Sequence, residues 1–265
     1  MKTILFLLLF FLGFFNAHAQ SDEQFYKPTK RLKPLEFANT EEIMLPVADD
    51  TITAVLIKPT GKPKATILFF HGTGGNISTY QFMITPLVQD QFQVVAVDFR
   101  GYGKSTGKPT HLNIAQDGQV FFDAVLQHNA VKNTAIIVYG ASMGTQIATL
   151  LAKNNEMKIK ALVLDGALSS FTDIAAYYAP QYREIIEKTY ISPYSAKEDV
   201  KSLSNIKKVF IHSREDKEIP YDQGIAVFNN APEPKQLLEY KGAHLMAIVN
   251  EQQKVLNTLN ALIEK

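Results

Sequence analysis

Thr134-Ala-Ile-Ile-Val-Tyr139-Gly140-Ala141-Ser142-Met143-Gly144-Thr145-Gln-Ile-Ala-Thr-Leu-Leu-Ala-Lys153 is the stretch on which the reading of this chain turns. Its first six residues are mostly β-branched and apolar, as in a buried strand, and the residues from Met143 onward read as a helix. Between them stands Gly-x-Ser-x-Gly, a serine between two glycines at a strand-to-helix junction. So sharp a turn puts the serine backbone in a strained conformation, and small residues two positions to either side let neighbouring elements pass close by. The serine side chain is lifted off the sheet, and the next helix points its N-terminal N–H groups toward any developing anion. The competing reading is that Ser142 simply caps that helix. A base, an acid and an oxyanion site elsewhere in the chain would decide between the two.

Working outward, regular patterning begins near Glu41. Ile43 to Val47 and Thr51 to Lys58 flank Ala48-Asp49-Asp50 and predict an antiparallel hairpin. Strand patterns follow at Ala65–Phe70, Val94–Asp98, Ile159–Leu164, Lys208–His212 and Gln236–Tyr240. Helices are expected over Thr79–Gln89 and Leu112–His128, with a closing one over Leu245–Ile263. Strands alternating with helices imply an α/β fold whose parallel sheet is covered on both faces. The stretch 167–206 lacks a clear strand and is rich in tyrosine, which reads as a helical cap inserted in one domain.

Ligand sites in such sheets lie beyond the carboxyl ends of the strands. After Phe70 comes His71-Gly72-Thr73-Gly74-Gly75-Asn76, where glycines let backbone N–H groups approach a ligand oxygen. Thr73 and Met143 N–H are therefore the candidate oxyanion hole. A dinucleotide loop is ruled out because Ile77 stands where its third glycine belongs, and His71 reads as a structural hydrogen-bonding residue. Asp98-Phe-Arg100-Gly-Tyr-Gly-Lys-Ser105 fails as a phosphate loop, since Asp98 occupies the position of the first glycine. Asp98 and Arg100 are expected to pair and shape that loop. Asp216, in the loop after His212, is the candidate acid, and His244, after Tyr240, the candidate base. Taken singly, each could be a solvated loop residue. Together, Ser142, Asp216 and His244 each follow a predicted strand, in the Ser…Asp…His chain order.

These residues make the chain resemble the α/β-hydrolase superfamily over about residues 40–263. Within it the chain looks like the serine aminopeptidase, monoglyceride-lipase and acyl-protein-thioesterase-like branches with a small helical cap. The stretches carrying the similarity are His71-Gly72, Asp98 to Ser105, Gly140 to Gly144, Asp216 with Ile219-Pro220, and Gly242-Ala243-His244. The resemblance implies a mostly parallel eight-stranded sheet with helices on both faces, the strand of the first hairpin antiparallel, and a small cap insertion about 167–206. Ser213 departs from the glycine that relatives often carry there. The chemistry expected is acyl transfer to water from a carboxylester or thioester, with an aminopeptidase on the same triad as the alternative. Glu184 or Glu187 would bind the free amine in that case. A binding protein on the same fold is the remaining reading. Phe171, Tyr177 and Tyr178 in the cap are candidate contacts to a small acyl substrate.

Composition narrows the rest. The absence of cysteine excludes disulfides, thiol nucleophiles, thiolate metal sites and a lipoprotein anchor. No H-E-x-x-H pattern occurs, and neither a metal nor an organic cofactor is called for. A formal charge of +1 with no basic stripe argues against nucleic acid, and no polybasic run points to an anionic membrane surface. Lys2, the apolar run Ile4 to Phe15 and Ala17-His18-Ala19 read as a cleaved signal peptide over residues 1–19. That run falls short of the roughly 20 residues a bilayer span needs. The mature chain is expected to start at Gln20, to carry no membrane span and to be periplasmic or secreted. Residues 20–39 would form a poorly packed arm, and 40–265 the hydrolase domain.

Overall fold

The computed structural model describes residues 22–264. The signal-peptide reading lies outside the described residues. In chain order the elements are β1 (Lys27–Pro28), β2 (Thr40–Val47), β3 (Asp50–Ile57), β4 (Thr66–Phe70), β5 (Gly74–Gly75), α1 (Gln81–Gln89), β6 (Gln93–Asp98) and α2 (His111–Gln127). Then come β7 (Ile136–Ala141), α3 (Gly144–Asn155), β8 (Ala161–Asp165) and the cap helices α4 (Phe171–Tyr178), α5 (Arg183–Thr189) and α6 (Ala196–Asp199). The chain closes with β9 (Lys207–Ser213), α7 (Tyr221–Asn230), β10 (Lys235–Tyr240), α8 (Ala247–Asn250) and α9 (Gln252–Ile263).

Eight strands form one sheet in the order β10-β9-β8-β7-β4-β6-β3-β2. Every pairing is parallel except those of β3, which runs against both β2 and β6. The antiparallel member is thus the second strand of the opening hairpin. The central strands are buried on both faces, so successive residues serve different layers. Leu68 and Phe70 of β4 pack with Phe121, Phe122 and Ile147 of α2 and α3. Ile67 and Phe69 point the other way, into a layer with Met83 and Leu87 of α1 and Leu256 and Leu259 of α9. Each strand except β3 delivers its last residue to the same end of the sheet.

Two expectations change. The closing helix is broken, because Glu251 leaves the helical region (φ −134°, ψ 45°). Asn250 Nδ2 donates to the Lys241 carbonyl at 3.0 Å, which fastens α8 to the loop carrying His244 and forces the helix to restart at Gln252. The arm expected to be poorly packed is instead tied down: β1 pairs with β5 in parallel, and Tyr26 is only 5% exposed. Among the described residues no helix is long and apolar enough to cross a membrane.

The helix that follows Ser142 can sit at the centre of the sheet only because Gly144 has no side chain. A Cβ there would run into the Phe70 carbonyl oxygen and lie 2.7 Å from that of His71. Gly74, by contrast, has nothing within 4 Å of such an atom. Gly144→Ala should therefore lose about 1–3 kcal/mol or more through overpacking, while Gly74→Ala should stay within about 0.5 kcal/mol of the parent. Urea denaturation of both variants checks this; equal stabilities would contradict the close approach.

Candidate active site

Ser142 has φ 53°, a left-handed conformation rare for a residue with a Cβ and worth about 1–3 kcal/mol of strain. It is held there from several sides. Its N–H donates to the Asp165 carbonyl at 2.7 Å, and its carbonyl accepts from Thr145 N–H and Oγ1–H at 2.9 and 2.6 Å. A Cβ on Gly140 would stand 2.6 Å from Thr145 Cα, and one on Gly72 3.1 Å from Ser142 Cβ. Ser142 Oγ makes no cap bond to the helix; the residue at the N-cap position is Met143. The capping alternative is therefore set aside.

Asp216 and His244 come together as the strand-end reading expects. His244 Nδ1–H donates to Asp216 Oδ2 at 2.6 Å, and Asp216 Oδ1 accepts from the Glu218 and Ile219 N–H groups at 2.9 Å each. Burial pushes the Asp216 carboxyl up, but the His244 bond and charge and the two backbone N–H groups outweigh it and hold the group below the ordinary carboxylate value. With Nδ1 committed as a donor, neutral His244 presents Nε2 as a bare acceptor, and that atom is buried without a hydrogen-bond partner. A Cβ on Gly166 would lie 2.5 Å from His244 Cε1. Asp165 and Gly166 are thus a shared wall: Ser142 N–H bonds to the first, and the imidazole lies against the second. Ser213, the departure from glycine, bridges the acid and base loops, its Oγ–H donating to the Gly242 carbonyl at 2.6 Å.

Neither Thr73 N–H nor Met143 N–H has an acceptor among the described residues. His71 is fully buried and structural, its Nδ1 bonded to the Gly72 carbonyl at 2.7 Å and its pKa lowered by burial to about 4. Of the cap candidates, Phe171 is fully buried against the His111 ring, with centroids 3.7 Å apart, whereas Tyr177 and Tyr178 are exposed. Tyr178 does reach the acid loop, donating to the Glu218 carbonyl. Glu184 and Glu187 stand exposed on α5, Glu187 paired with Arg183 at 3.3 Å. A groove of about 610 Å³ runs between the arm, α1 and α8, but Ser142 and His244 do not line it.

The expected Asp98–Arg100 pair is absent. Arg100 forks onto Asp117 at 2.9 and 2.6 Å and reaches Asp50 at 2.8 Å, tying its loop to α2 and the hairpin. Asp98 instead accepts from Ile77 N–H at 2.7 Å, and burial raises its pKa to about 7. The sequence reading also misses Asp165. Its Oδ2 accepts from Tyr139 O–H at 2.7 Å, while Oδ1 is buried with no partner. The signal was available: a carboxylate ending a run of buried strand residues needs a reason to be there. Among the described residues no cluster could hold a metal ion.

The sheet order, the strained serine and the buried His–Asp pair define an α/β-hydrolase. The sequence profile of the serine aminopeptidase S33 family matches residues 61–209, more than half of the chain, and the protein belongs to that family. Among curated relatives, YfhR of Escherichia coli K12 is 28% identical over 181 residues, covering 68% of this chain and 62% of YfhR. The chain thus spans less than two thirds of that relative. Protein bem46 of Schizosaccharomyces pombe is 27% identical over 206 residues, 76% of this chain and 68% of its own length. Among solved structures, the Pyrococcus furiosus esterase Pf2001 superposes with a TM-score of 0.71 at 17% identity, over 90% of this chain and 97% of that one. At that identity the likeness speaks to the fold alone.

Burial raises Asp165 from an ordinary 3.8 to about 7. A carboxyl raised on folding contributes stability that is complete below the unfolded value and lost as pH rises toward the folded one. Relative to the parent, Asp165→Asn should therefore gain stability steadily from about pH 4 to about pH 7 and no further above it. Urea midpoints of the two proteins across that range measure the difference, and a difference independent of pH would contradict the shift.

Proposed function

We propose that the protein is an exported serine hydrolase that cleaves a carboxylester or thioester through an acyl-enzyme. The observation that carries this reading is the His244–Asp216 bond of 2.6 Å, which leaves His244 Nε2 a buried atom with no partner of its own, in a fold that also holds Ser142 in a strained conformation. His244 Nε2 takes the proton from Ser142 Oγ as that oxygen attacks the carbonyl carbon. Asp216 keeps the imidazole in the productive tautomer and stabilises its cationic form. The Thr73 and Met143 N–H groups receive the oxyanion, each worth about 2.7–4 kcal/mol of transition-state stabilisation. His244 then returns the proton to the leaving group, and water resolves the acyl-enzyme by the same steps in reverse roles.

The peptidase alternative draws on the name of the matched family. The two cap glutamates that would bind a substrate amine are solvent-exposed, which favours the ester reading. A panel of p-nitrophenyl esters and aminoacyl-arylamides separates the two. Ester turnover is expected to dominate, and arylamide turnover alone would support the peptidase. Inertness to both would favour a binding protein.

Ser142→Ala and His244→Ala should each lower kcat about 10⁴-fold or more, and the double variant should be little slower than either, because such groups act as a unit. Additive losses would contradict the shared role. Export rests on residues 1–19, and the mature N-terminus expected by sequencing is Gln20; an intact Met1 terminus on the exported protein would overturn that.

A further inference from the structure

Thr73 sits in a loop with glycines on both sides, Gly72 before it and Gly74-Gly75 after it, and such a loop has little conformational preference of its own. An oxyanion donor has to be fixed, because it works only when its N–H lies about 2.7–3.1 Å from the place where charge develops. The peptide that carries this N–H is held at its other end, where the Gly72 carbonyl accepts from His71 Nδ1–H at 2.7 Å, but the Thr73 side chain and its own carbonyl must be held from outside the loop.

That holding comes from residues 22–31. Thr73 Oγ1–H donates to the Phe25 carbonyl. The Thr73 carbonyl accepts from Lys27 N–H at 3.1 Å and from Tyr102 O–H at 2.6 Å. Thr29 N–H reaches the Gly75 carbonyl at 3.4 Å, and Asn76 Nδ2 donates to the Thr29 and Arg31 carbonyls at 3.0 and 3.1 Å. The arm thus takes up the hydroxyl and shares the carbonyl of Thr73, while the N–H is left without an acceptor.

The arm is itself anchored on both sides of that contact. Upstream, the Tyr26 hydroxyl and the Tyr190 hydroxyl each lie 2.6 Å from a ring nitrogen of buried His111, and the Phe25 ring packs on Phe171 of the cap with centroids 5.2 Å apart. His111 N–H donates to Asp22 Oδ2 at 2.9 Å. Downstream, Gly103 N–H donates to the Thr29 carbonyl at 3.0 Å. A segment tied at each end to the cap, α2 and the loop after β6 is a rigid splint across a glycine-rich loop.

From this we infer that residues 22–31 are a positioning element of the site, fixing the Thr73 side chain and carbonyl, and through them the residue's backbone torsions, so that its N–H faces the oxyanion. The inference rests on the serine-hydrolase reading of Ser142. It assigns the arm a part in the transition state, with no contact to the reacting atoms.

The test compares variants that differ in a single donor group. Lys27→Pro removes the N–H that the Thr73 carbonyl shares with the Tyr102 hydroxyl oxygen, each at 3.1 Å, and Lys27→Ala, which trims only an exposed side chain, is its reference. Thr73→Val removes the hydroxyl given to Phe25, and Thr73→Ser restores it. With p-nitrophenyl acetate, Lys27→Pro should show kcat lower than Lys27→Ala by on the order of tenfold to a hundredfold, with KM within about twofold. Thr73→Val should fall in the same way, with Thr73→Ser recovering most of the rate. The valine–serine pair keeps the test decisive if the proline variant does not fold. Equal kcat within both pairs, alongside turnover that Ser142→Ala abolishes, would overturn the inference and leave the hydrolase reading standing. Turnover that survives Ser142→Ala would overturn both.

Discussion

The approach of Gly144 to the Phe70 carbonyl is the contact on which the rest of the site depends. It exists because β4 and β7 are adjacent and parallel, with Phe70 level with Gly140, so the start of α3 must pass over the end of β4. Crowding there leaves the chain one way to turn from strand to helix, and that way gives Ser142 its positive φ. The energy stored in such a turn has to be over-determined by its surroundings. Here the Asp165 carbonyl, Thr145 and the two glycines supply that determination. From the same crossing it follows that Met143 N–H and the loop after β4 lie on the serine's own side of the sheet.

Two carboxyls end neighbouring strands or the loops just beyond them, and their surroundings drive them in opposite directions. Asp216 has both oxygens occupied by donors, three in all, and keeps its charge despite burial. Asp165 has a single donor and an unpartnered oxygen, and burial prevails. Nothing in their residue type separates them. The difference lies in how many N–H and O–H groups the local backbone turns toward each. One consequence is that the pair facing His244 is set by Asp216, with Asp165 holding the Ser142 backbone through its carbonyl instead.

Much of this was legible in the sequence because glycine and strand punctuation are local signals. Gly140 and Gly144, the strand ends at Phe70, His212 and Tyr240, and the chain order of Ser142, Asp216 and His244 all sit within a few residues of the features that betray them. What escaped was non-local. Arg100 could reach its near neighbour Asp98, but Asp117 on α2 offers both oxygens to a planar guanidinium, a geometry no spacing rule reveals. The arm read as loose because it is polar and contains proline. Its order depends on Tyr26 meeting His111 and on β1 meeting β5, far away in the chain. The closing helix looked continuous because its apolar period is unbroken at Glu251, where a side-chain bond from Asn250 interrupts it.

The central claim, that Ser142 is a nucleophile made reactive by its fold, is tested most directly by covalent capture. Incubation of the folded protein with a fluorophosphonate, followed by intact-mass and peptide analysis, should give one adduct per chain on Ser142 Oγ. The same reagent should leave the urea-unfolded protein unlabelled. No adduct on the folded chain, or an adduct on another residue with Ser142 untouched, would contradict the account.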